Sequence, residues 1–129
     1  MSSRKRLMGV VAAAVLAWPM IAAAPDMGSI RHSVPFTIDI TPEVGNAGAT
    51  AVTLVSMRTG RIRAVKVATI PPGGPPFAFA DTLGANVIRF DVLIYPPRNG
   101  LLQFRLTQGA NVITHDVVSD VTLVFDVVP

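Results

Sequence analysis

Along residues 36–41 the apolar side chains Phe36, Ile38 and Ile40 alternate with Thr37, Asp39 and Thr41. A period of two predicts a half-buried strand, because successive side chains leave a pleated backbone on opposite sides. Pro42 ends the run and Gly45-Asn46-Ala47-Gly48 makes a loop. Residues 50–57 are apolar or β-branched on both parities and predict a strand inside a sheet. Arg58-Thr59-Gly60-Arg61 then reads as a tight hairpin turn. In the following segment, Arg61 to Ile70, the apolar parity flips between Ala64 and Val65. A β-bulge at that point would return Val65 and Val67 to the core face that Ile62 and Ala64 occupy, since one extra residue re-phases the alternation.

Pro71-Pro72-Gly73-Gly74-Pro75-Pro76 admits no ladder, because proline lacks the donor, and predicts a surface crossover. Phe77 and Phe79 make a short strand, followed by a turn over 81–86. In 87–95, Ile88, Phe90, Val92 and Ile94 share one face, and Arg89 and Asp91 share the other. Pro96 to Gly100 is a turn with a favoured Asn99-Gly100 pair. Strands over 102–107, 112–117 and 121–128 complete the pattern. About eight short strands with turn signals between them, and no helical periodicity, predict an all-β fold. The expected architecture is an antiparallel two-layer β-sandwich, immunoglobulin-like or jelly-roll-like, preceded by an N-terminal signal helix. An outer-membrane barrel needs longer lipid-facing strands than most of these.

The segment before the strands has a different grammar. Arg4, Lys5 and Arg6 precede an apolar run from Leu7 to Ile21, and Ala22-Ala23-Ala24 supplies small residues for cleavage. That is the layout of a secretory signal peptide, so residues 1–24 are expected to direct export and be removed. The apolar run is short for a membrane span, and Trp18-Pro19 fits a break before a cut better than a continuing helix. Pro25 directly after Ala24 points to a cut one or two residues earlier. Residues 25–34 read as a flexible, irregular lead-in, and 35–129 as the sandwich domain.

Removing the leader changes the charge. The whole chain has a formal net charge of +3. From Pro25 onward Arg31, Arg58, Arg61, Arg63, Lys66, Arg89, Arg98 and Arg105 are balanced by Asp26, Asp39, Glu43, Asp81, Asp91, Asp116, Asp120 and Asp126. The remaining domain is neutral, which removes the standing positive field that nucleic-acid binding requires. Charge is uneven, however: Arg58 to Lys66 holds only cations and Asn111 to Pro129 only acids. Either the two segments pair as neighbouring strands, which is the simpler expectation, or the domain is a dipole that associates head to tail. With 50% hydrophobic and 15% charged residues the chain is not of disordered composition. With no cysteine it has no disulfide framework or thiolate metal site.

Candidate chemistry is sparse. Ser29, Ser33, Ser56 and Ser119 lack a nucleophile-elbow setting, and the acids read as turn or solvent-face residues. An enzyme would need His32 and His115, the two histidines, to meet in space. A soft metal site could draw on Met27, His32, His115 and Asp116, but their spacing supports none. No catalytic residue, cofactor or metal is therefore expected. Arg58, Arg61, Arg63 and Lys66 are the candidate interaction surface, for an acidic partner or an acidic polysaccharide, or else serve to charge a sheet edge against aggregation. Phe36, Ile38 and Ile40 are the candidate edge strand for pairing with a protein partner or a second copy. The function expected from the sequence is that of an exported, non-catalytic structural, adhesive or protein-interaction module, periplasmic or extracellular, with no membrane span after the leader is removed. The alternative is a periplasmic binding protein for a small anionic ligand or a metal ion.

Overall fold

A computed structural model describes residues 26–43, 48–98 and 100–129. The expected signal segment, 1–24, lies outside the described residues, as do most of the Gly45–Gly48 loop and Asn99 of the Asn-Gly turn. The described chain is all strand and turn: β1 (Asp26–Arg31), β2 (Phe36–Pro42), β3 (Thr50–Arg58), β4 (Arg61–Ile70), β5 (Phe77–Asp81), β6 (Val87–Tyr95), β7 (Leu102–Gln108), β8 (Asn111–Val117) and β9 (Val121–Val128). They form a five-stranded sheet in the order β1-β9-β6-β3-β4 and a four-stranded sheet in the order β5-β2-β7-β8. A single hydrophobic cluster draws on both, with Phe36, Phe90, Phe104 and Phe125 fully buried. The arrangement is β-sandwich-like.

Side-chain contacts across the core show which strands face each other. The Phe36 and Phe90 rings meet edge-on at 5.6 Å, and those of Phe104 and Phe125 lie 5.8 Å apart. Gly28 approaches the Ile113 side chain so closely that an added Cβ would sit 3.5 Å from it. So β2 faces β6, β7 faces β9, and β8 faces β1. Continuing across, β3 faces β5. The five-stranded sheet has one strand more, β4, whose Val65, Ala68 and Ile70 still reach the shared core.

Residues 26–31, expected as an irregular lead-in, are a strand instead, which makes nine strands where the alternation shows eight. β1 runs parallel to β9, whereas every other strand pair is antiparallel. The alternation is hidden because the register shifts between Asp26 and Gly28, and Gly28 takes φ +116°. Ile30 is the one fully buried residue of β1, so no period of two survives in its sequence.

Between β1 and β2 the chain crosses from one sheet to the other through His32 to Pro35. Ser33 adopts φ +61° there. The crossing is held by Gln108, 5% exposed, whose side-chain carbonyl accepts from the Arg31 N–H at 2.8 Å. Its amide nitrogen donates to the carbonyls of Arg31 and Val34 at 3.1 and 2.9 Å. His32 N–H donates to the Val128 carbonyl and Ser33 N–H to that of Leu83. Buried backbone groups need partners, and here one side chain supplies three of them.

The parity expected for 87–95 holds from Arg89 to Tyr95. Ile88 departs from it: a register shift opposite Met57 and Arg58 turns it out to 52% exposure, and Val87 fills the core place.

Candidate functional site

The basic cluster sits on the β3–β4 hairpin. The turn is two residues, Thr59-Gly60, with Gly60 at φ +73° and Arg58 directly opposite Arg61. Two-residue hairpins favour glycine because the strand twist demands positive φ. The bulge predicted from the parity flip is present: Leu54 pairs with Lys66 and Val55 with Ala64, leaving Val65 as the extra residue. Val65 packs against the core as expected, and Ala68 and Ile70 beyond it do the same, but Ile62, Ala64 and Val67 do not share that face.

Cross-strand partners share a face, so the register assigns the sides. Val52 and Leu54 are fully buried, and they pair with Ala68 and Lys66. Ser56 pairs with Arg63, and Arg58 with Arg61. Arg58, Arg61, Arg63 and Lys66 therefore all lie on the inner side of the five-stranded sheet. Ile62, Ala64 and Val67 lie on its outer side, beside Met57, Val55 and Thr53. Val67 is 71% exposed rather than in the core. Toward the hairpin end the inner side of β4 carries the exposed Arg61, Arg63 and Lys66, whereas Ala68 and Ile70 farther along it pack into the core. Arg61, Arg63 and Lys66 keep their water there, while the apolar side chains past Lys66 gain by burial.

The four cations have no carboxylate partner. Among the described residues the one ion pair is Arg89–Asp91. Arg58 Nε is shut off from solvent and has no hydrogen-bond acceptor. An open depression at the hairpin end is lined by Arg58, Thr59, Gly60, Arg61, Ala85, Asn86 and Ile88. The acidic segment is elsewhere: Asp116 is on β8, Asp126 on β9, and Asp120 between them. β8 lies at the opposite edge from β5, and faces β1 rather than β4. The two charged segments are thus not neighbouring strands, contrary to the simpler expectation. They occupy opposite flanks of the sandwich.

Phe36, Ile38 and Ile40 do not provide an edge. β2 lies between β5 and β7, hydrogen-bonded on both sides, and the three side chains are at most 1% exposed. Their alternation reports one buried face, which an interior strand and an edge strand share. The free edges belong to β1 and β4 in one sheet and to β5 and β8 in the other.

The two outer faces differ. That of the four-stranded sheet is polar, with Thr37, Asp39 and Thr41 beside Thr107, Arg105 and Gln103. That of the five-stranded sheet is largely apolar, running from Val124 through Leu93 and Val55 to Ala64 and Val67. Asp91 sits within it, between Val55 and Val124, and is fully buried. The Arg89 guanidinium grips it twice, at 2.9 and 3.1 Å. Burial raises the Asp91 pKa, and the hydrogen bond and positive charge of Arg89 pull against that rise. Asp91 departs from the solvent-face placement expected for the acids.

The histidines are placed structurally. His32 Nε2 lies 2.8 Å from the Val87 carbonyl and donates to it. His115 is on β8, opposite Phe104, with Asp116 on the other side of that strand. Met27 packs against the core. Among the described residues no three of His, Cys, Asp or Glu gather as a metal site would require. The chain matches no protein-family model, no curated protein and no solved structure.

Proposed function

We propose that the chain is an exported, non-catalytic β-sandwich module that assembles with further copies of itself through β4 and the adjoining outer face, periplasmic or extracellular in location. The observation that carries this reading is β4: a ten-residue strand at a sheet edge, with Ile62, Ala64 and Val67 exposed on its outer side. Unpaired edges are templates for another strand, and contiguous exposed apolar surface marks a contact region. The basic flank at β4 and the acids on the β8–β9 flank give a head-to-tail contact its electrostatic sense. A contact between two different surfaces propagates into a linear assembly unless its rotation closes a ring. Export is supported by the n-region, apolar run and small residues of 1–24.

Sedimentation velocity on the chain as processed by its expressing host tests the proposal. Assembly that grows with concentration and is lost in Val67→Lys, at unchanged thermal stability, is the expected result. A strict monomer up to about 1 mM, where contacts of about −4 kcal/mol register, overturns it.

A further inference from the structure

We infer that the hairpin end is a binding site for a doubly charged oxyanion group, sulfate or phosphate, held between Arg58 and Arg61. Four observations converge on it. The two arginines are directly opposed across the hairpin, where side chains of adjacent strands stand about 5 Å apart and like charges repel. Neither has a carboxylate partner. Arg58 Nε is desolvated and unbonded, so part of that guanidinium has already lost its water, and its charge acts through a weaker dielectric than at a free surface. The depression they line is open, and Asn86 adds an amide to its wall. Buried donors without acceptors are rare and call for an explanation.

An oxyanion with two charges offsets both guanidinium charges at once, and guanidinium geometry suits oxygen pairs of this kind. Arg63 stands on the same side, next along β4 from Arg61, and extends the positive field away from the tip. The lining has no aromatic ring on which a base could stack, which disfavours a nucleic-acid source. The two charges come either from one free inorganic ion or from two neighbouring singly charged sulfate esters of an anionic polysaccharide. The inference stands independently of copy-to-copy assembly, since the arginines lie on the opposite side of β4 from Val67.

Titration with sodium sulfate and sodium phosphate, followed by thermal unfolding against sodium chloride of equal ionic strength, reads the free-ion source. Titration with dextran sulfate, against uncharged dextran, reads the polymer source. A midpoint rise specific to sulfate, phosphate or dextran sulfate is expected, because a ligand of the native state stabilises it. Arg61→Gln, at an exposed position, should fold normally and weaken binding about tenfold or more, the loss expected for one charged hydrogen-bond donor. Arg58→Gln should do the same if it folds, and Arg61→Gln decides the matter if it does not. Binding of the polymer alone, lost in Arg61→Gln, supports the site and assigns the group to a polysaccharide. A sulfate response no larger than that of chloride, with no dextran sulfate binding, overturns the inference. So does binding that is unchanged in Arg61→Gln.

Discussion

Removing Arg89 and removing Asp91 are expected to have unequal costs, because the two ends of their ion pair are differently placed. The Asp91 side chain is fully buried, whereas that of Arg89 is 26% exposed. In Arg89→Met the carboxylate keeps its burial and loses both charged hydrogen bonds. It then has two options: stay charged at a penalty of about 3–5 kcal/mol, or take up a proton. Protonating a carboxyl of ordinary value 3.8 costs about 1.4 kcal/mol for each pH unit above that value, so about 4 kcal/mol at pH 7. The smaller of the two sets the loss, which comes to about 3–4 kcal/mol at neutral pH. In Asp91→Ala the guanidinium can turn to water, and the loss is about 1–2 kcal/mol. Urea unfolding at pH 7, 6 and 5 is the assay. The sign of the pH effect follows from linkage. The folded Asp91 pKa lies above the unfolded one, so between the two the folded state holds more protons, and stability falls as pH rises. The Arg89→Met deficit should therefore shrink on acidification toward the unfolded value, and that of Asp91→Ala should not. Replacing both, as Arg89→Met with Asp91→Leu, should recover most of the loss. Equal costs for the two single variants, or an Arg89→Met deficit that ignores pH, would refute the reasoning.

Gln108→Leu keeps the side-chain bulk and removes three hydrogen bonds to the sheet crossing. It should cost about 3 kcal/mol, and hydrogen exchange should show the Ile30 to Ser33 amides opening first. Ile38→Ala should destabilise the isolated monomer by about 2–5 kcal/mol in chemical denaturation, since Ile38 is core; a change in assembly without such a loss would contradict its placement. Gly60→Ala, at φ +73° with open space around it, should cost about 1–2 kcal/mol of thermal stability from backbone strain alone. In the wild-type protein, the melting temperature should respond to acidification below neutrality more than in Asp91→Asn, because the buried carboxyl gains its proton.

What the sequence discloses here is local. The alternation Phe36-Ile38-Ile40 marks a buried face, and the parity flip at Ala64-Val65 marks a bulge; both are properties of a few adjacent residues. What lies across from a strand is not local. Nothing in 61–70 tells that Ile62, Ala64 and Val67 face outward while Val65, Ala68 and Ile70 pack on the core. β2 likewise gave its face but not its place between two neighbours. β1 is hidden in the sequence because a positive-φ glycine breaks its period and one buried residue leaves no pattern. Gln108 has no motif at all: its role comes from three backbone groups that the crossing brings to it from far away in the chain. Asp91 was legible as sharing a face with Arg89. Its burial was not, because that depends on Val55 and Val124 from two other strands.

The ninth strand in chain order, β9, is also the one that joins β1 to β6 within the five-stranded sheet. Until it is in place, β1 has no partner in its sheet and β6 has an open side, so β1 stays apart from the β6-β3-β4 block. The β3–β4, β3–β6, β2–β7 and β7–β8 pairings need no β9, but β1 joins its layer only when Ile30 finds Val127, a contact between segments far apart in sequence and therefore slow to form.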